Sequence, residues 1–162
     1  MTPRLPLLES LGAVVMVALV AALTALPSRS DVPAREDAAL QDALGAFRTA
    51  LFRYTMEHGG DGVVLADVTT EDELVGRLTQ ATRKDGTFSA PAGPVEDRWY
   101  GPYLNRIPVN PVNGKGSVRV MPDGYPEPVL NGTAGWVFVP MTGEVFPDLP
   151  GTDGRGLSYA EY

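Results

Sequence analysis

LPLLESLGAVVMVALVAALTAL, residues 5 to 26, is the stretch on which the reading of the whole chain turns. From Leu11 to Leu26, 16 residues pass without a charge, and among them only Thr24 carries a polar side chain. As a helix rising about 1.5 Å per residue, residues 5 to 26 reach about 33 Å, close to the hydrocarbon thickness of a bilayer. The stretch predicts a membrane-spanning helix, with residues 1–4 as a short leader or cytoplasmic end. Glu9 lies inside the apolar run, where a charge costs at least about 2.5 kcal/mol near the bilayer centre and less near an end. Its carboxylate must either snorkel to an interface or meet a partner. Gly12, Ala13, Ala18, Ala21 and Ala22 are small enough for a neighbouring helix to approach closely.

Beyond Leu26, Pro27 and Pro33 bracket the polar run SRSDV, which predicts a bend or break. Helical spacing then returns over residues 34–58. Leu40, Leu44, Phe47, Leu51 and Tyr54 recur at steps of four and three, as one apolar stripe does, and Gly59-Gly60 supplies a stop. Residues 27–58 therefore read as an amphipathic continuation of one long helix, with the stripe as ordinary core. His58, the single histidine, falls in its last turn, where the helix dipole mildly favours a cation.

Residues 59–98 read as a smaller unit with a short helix. Thr70 followed by Glu73 is a capping-box pattern that opens a short helix through about Thr82, with Leu74, Val75 and Leu78 facing inward. Residues 99–162 read as a loop and then a sheet. The segment from Trp99 to Pro111 carries aromatics and prolines in a path that cannot join a ladder, so it needs side-chain anchors. SVRVM (117–121), GWVFV (135–139) and EVF (144–146) read as strands, the last two joined by the turn at Pro140 to Gly143. Trp136 and Phe138 project to one face and Val137 to the other, which predicts one set on the long helix and one facing out. The expected class is α+β: a long N-terminal helix packed against a small C-terminal antiparallel sheet.

Composition narrows the function. Glycine (18) and proline (15), gathered in the second half, favour turns and short strands. The net charge is −7, and since Arg4 and Glu9 cancel, all of it lies after Leu26. An acidic exported part argues against nucleic acid and against docking on anionic lipid. Without cysteine there is neither a disulfide nor a thiolate metal site. One histidine outside any signature, and no Walker loop or HExxH motif, give nucleophilic or zinc catalysis no support. Calcium is the cation for which the tail has the chemistry, Asp148, Asp153 and nearby carbonyls being hard oxygen ligands, but solvated turn acids are the better reading of these residues.

LPLLESL after Arg4, followed by the long apolar helix, resembles the start of type IV pilin-like proteins, the pilins and the pseudopilins of type II secretion. GPYLNRIPVNPVNG (101–114) resembles the GPYL…P.NP.NG motif of pseudopilin-like proteins, and GWVFVPMTGEVFP (135–147) their closing hairpin. Arg4 stands where the family usually has glycine before the cut, and Leu5 where it usually has phenylalanine. The resemblance implies cleavage between Arg4 and Leu5 by a prepilin peptidase, methylation at Leu5, and pairing of Glu9 with the free amine of a neighbouring subunit. It also implies a calcium site near the C-terminus, other pilin-like subunits and an inner-membrane assembly platform as partners, and a bacterial inner-membrane protein. In that arrangement the N-terminus is cytoplasmic and the C-terminal domain periplasmic or extracellular. The expected function is a non-enzymatic filament subunit that helps export proteins. The alternative is a single-pass anchored extracytoplasmic binding module that never polymerises. A secreted protein with a signal removed after Ala25 would need a cleavage site that bulky Leu23 spoils.

Overall fold

The computed structural model describes residues 31–59, 65–88 and 99–162, with side chains from residue 35 onward. The expected leader (1–4) and spanning helix (5–26) lie outside the described residues. No helix among the described residues is long and apolar enough to cross a membrane. Two compact units divide at Arg35 and Glu36, and the second, residues 36–162, carries the architecture below.

Helix α1 (Asp31–His58) starts two residues before Pro33, so the proline sits in the first turn, where its missing N–H costs no bond. The predicted stripe is the core face: Leu40, Leu44, Phe47, Leu51 and Tyr54 are all buried, joined by Ala50. The helix stops at His58, and the Gly59 N–H donates to Thr55 O (3.0 Å). Helix α2 (Glu71–Thr79) opens as its sequence dictates. The Thr70 side chain accepts from Glu73 N, and the Glu73 carboxylate accepts from Thr70 N. It ends three residues sooner than expected, because Thr82 is taken by other partners. Its N–H and C=O exchange hydrogen bonds with Tyr100 (3.0 and 2.9 Å), and its hydroxyl meets His58.

Strands β1 (Val118–Val120), β2 (Trp136–Val139) and β3 (Glu144–Pro147) form one sheet in that order. The expected antiparallel sheet is corrected here to a mixed one: β2 and β3 form the predicted hairpin, but β1 pairs with β2 in parallel, Val118 opposite Trp136. Parallel neighbours need a long crossover, and the irregular run from Met121 to Gly135 supplies it. A second correction concerns the outer face of β2. Trp136 and Phe138 do pack with α1, Trp136 meeting Phe47 edge-on at 5.9 Å. Val137 and Val139, however, are also buried, under Met121, Phe146 and Leu130. The crossover folds back as a second cover, so the strand is roofed on both sides. Each such large side chain withdrawn from water contributes about 1.5–3 kcal/mol.

The outer edge of β3 is closed by neighbours. Arg48 of α1 donates to Val145 O (3.0 Å) and to Tyr162 O, Pro147 offers no N–H, and its carbonyl accepts from Leu149 N (2.9 Å).

Gly135, where the crossover enters β2, is the tightest point of the fold. A Cβ there would fall 2.1 Å from Lys115 O, while the Gly135 and Trp136 N–H groups both reach Ser117 O. Gly135→Ala must push two backbones apart, so we expect it to destabilise the domain by about 3 kcal/mol, read as a lower urea midpoint with unchanged slope.

Candidate functional site

Two polar constellations deserve the name of candidate site: the carboxylates of the C-terminal turns and the aromatic cluster at the end of α1. Asp148 follows β3 directly and its side chain is wholly buried. One oxygen accepts from Asn131 N (2.7 Å), Gly132 N (3.1 Å) and Arg119 Nη2 (3.1 Å), and the other from Ala134 N (2.9 Å). Arg119 also donates to Val129 O. The carboxylate thus stitches the end of the crossover to the end of β3. Burial by itself would raise its pKa. The backbone donors of Ala134, Asn131 and Gly132, with the Arg119 guanidinium, outweigh that and hold it below the ordinary carboxylate range.

Asp153 performs a similar task in its own turn. It accepts from Arg155 N (2.8 Å), Leu157 N (2.9 Å), Arg155 Nε (2.9 Å) and the Tyr162 hydroxyl (2.9 Å). Burial works against the charged form here too, but the Leu157 amide and the Arg155 guanidinium push the pKa far down. Neither residue is the solvated turn acid that the sequence also allows. Asp148 and Asp153 share no hydrogen-bond partner, and their oxygens are taken up as acceptors, by N–H donors at Asp148 and by N–H donors and the Tyr162 hydroxyl at Asp153, rather than turned together toward a cation. Among the described residues no group of three or more histidine, cysteine, aspartate or glutamate side chains could hold a metal ion.

At the other end of α1, His58 is buried against Tyr54, the two rings stacked at 3.9 Å and 6°. Its Nδ1 must carry a proton, because it contacts Tyr54 O (2.9 Å), a carbonyl that can only accept. Nε2 lies 2.9 Å from Thr82 Oγ1. Both ring nitrogens are thereby engaged inside the core, and the imidazole ties α1 to the bridge at Thr82. Beside it, the Tyr103 hydroxyl donates to Glu57 Oε2 (2.8 Å); burial first, and this carboxylate second, raise its pKa.

Tyr103 belongs to the GPYL segment, which is pinned along its length as its prolines require. Tyr103 N and Leu104 N donate to Leu78 O (2.9 and 3.0 Å), and Trp136 Nε1 donates to Pro108 O (2.7 Å). The Asn110 and Asn113 side-chain amides donate to Gly135 O (2.8 Å) and Ala134 O (2.9 Å). Asn110 is fully buried and was not singled out in the sequence, although an amide between two proline turns is a fair signal of such a tie. Arg119 gave no signal, since the alternation SVRVM reads it as wet.

Glu9 and Leu5, expected from the sequence to act in assembly, and Arg4 with Leu5, expected to be the processing position, lie outside the described residues.

Asp148 provides a pH signature. Its folded pKa is depressed, so its contribution is complete above the unfolded carboxylate value near 4 and is lost as pH falls through the folded one. Asp148→Asn leaves an amide N–H₂ facing backbone donors, and we expect a loss of about 2–4 kcal/mol at pH 7. Thermal melts of both proteins from pH 7 to pH 2 should converge at the acid end. No family model, curated protein or solved structure matches this chain.

Proposed function

We propose that this chain is a structural, non-enzymatic subunit of a pilus-like filament of the type II secretion pseudopilin kind, assembling through its N-terminal helix to help export proteins. The observation that carries the reading is the order of parts. An uncharged run of 16 residues with Glu9 just before it leads, past two prolines, into the helix that forms the spine of a small α+β head. The pinned GPYL…NP.NG segment between helix and sheet supports the same reading, and so do the buried strands of the TGE hairpin. In this reading the head is pilin-like. The spanning helix holds the subunit in the bacterial inner membrane, N-terminus cytoplasmic, until neighbours draw it into a fibre cored by packed apolar helices. Gly12, Ala13, Ala18, Ala21 and Ala22 let those helices come close. Glu9 compensates the amine of Leu5 on the adjacent copy, which requires cleavage after Arg4. Other pilin-like subunits, an assembly platform, a prepilin peptidase and membrane lipid are the partners; nucleic acid is not.

Glu9→Ala in the full chain tests the pairing. Membrane retention should be unchanged, while ladders of cross-linked copies in isolated membranes should fall at least tenfold. Undiminished ladders would remove the role of Glu9, and a solitary band from the unaltered protein would favour the anchored binding module. Mass spectrometry of the mature chain should find a methylated Leu5; a start at Met1 or near residue 26 would overturn the processing step.

A further inference from the structure

The outward face of α1 is poor in charge for a protein of this composition. Ala38, Gly45, Phe52 and Met56 lie within about 40° of one another around the helix axis, at about 100° per residue. Phe52 is 64 % and Met56 56 % exposed, two large apolar side chains one turn apart. Gly45 is their opposite. Nothing lies within 4 Å of where its Cβ would be, and it forms part of the wall of a cavity of about 250 Å³ with Gln41, Leu44, Arg48, Leu157 and Tyr162. A single helix face therefore carries a knob and, two turns earlier, a hole. On one flank of the same face stand two exposed charges of opposite sign, Asp42 and Arg53.

We propose that this face is the interface of an isologous dimer in which α1 packs against α1 of a second copy in antiparallel sense. Phe52 of each copy enters the Gly45 cavity of the other, Met56 lies over the partner's small Ala38, and Asp42 pairs with Arg53 across the flank. All three pairings share one centre, between Phe47 and Thr49, so a single twofold axis satisfies them at once. Charge complementarity selects the antiparallel sense. Antiparallel helices set like flanks together and bring Asp42 to Arg53 twice. In-register parallel helices would set Arg48 beside Arg53 and Asp37 beside Asp42, also twice, and like charges so placed repel. Arg48 lies near the axis, but its guanidinium is turned onto Val145 O, Tyr162 O and the Phe146 ring. The dimer uses the head and not residues 5–26, and because helices in a fibre run in one sense, this antiparallel pair is a form of the subunit outside the fibre, so its failure leaves the filament reading standing.

The chain has no cysteine, so introduced pairs are unambiguous. In the full chain in detergent, Ala38→Cys with Met56→Cys should oxidise to a covalent dimer. Within one helix these positions are about 27 Å apart and cannot bridge. Neither Ala38→Cys nor Met56→Cys alone should cross-link, because like positions lie about 27 Å apart along an antiparallel pair; a covalent dimer from either single variant means that the helices run parallel and in register, and the proposal falls. Failure of the double variant to cross-link also overturns it, leaving the face to another partner. Arg53→Glu should lower the cross-linked fraction at least fivefold, and Asp42→Arg added to it should restore the yield. Arg53 also lies over the Tyr103 ring, a contact that both variants lose, so rescue isolates the intermolecular pair.

Discussion

Everything in the head depends on keeping water off both sides of a four-residue strand. Trp-Val-Phe-Val presents no side chain that tolerates solvent, and a strand so short has little ladder to hold it. One roof is α1, with Phe47 edge-on to the Trp136 indole; the other is the crossover, with Leu130 and Met121 laid over Val137 and Val139. The parallel pairing of β1 follows from this need, because only a chain that returns across the sheet can leave a second cover behind it.

Such a cover is irregular and rich in proline, and it cannot be secured by a ladder of its own. In a protein without disulfides, buried polar groups secure it instead. Asp148 gathers three amides and a guanidinium, Asn110 and Asn113 reach the carbonyls that precede β2, and the Trp136 indole holds Pro108. These ties are costly to bury and costlier to leave half-made, which concentrates the stability of the sheet in a few atoms. His58 serves likewise at the far end of α1, where a lone histidine on a helix terminus is a joint between layers.

What could be read from the chain was what neighbours in sequence decide. The stripe from Leu40 to Tyr54, the Thr70–Glu73 box and the β2–β3 hairpin each rest on spacings of a few residues, and the molecule follows them. What escaped was set at a distance. Thr82 leaves helical geometry because Tyr100 and His58 claim it, and Asp148 is an internal anchor only because residues 131–134 come to meet it. One face of β2 was expected to meet solvent because alternation along a strand says which residues share a face and nothing about what covers it. Leu5 and Glu9, to which the filament reading gives the assembly role, lie outside the part of the chain the structure describes.

The closed rim of β3 bears on how copies of this protein can join at all. With Arg48 plugging one carbonyl, a proline standing where an amide should be and Leu149 folded back on the next carbonyl, an incoming strand finds no template there. Growth by adding strand to strand along the edge, the route to amyloid, is barred on that side. Copies that meet along that rim must do so through side chains and helices, whose contacts loosen and re-form without unravelling the fold that carries them.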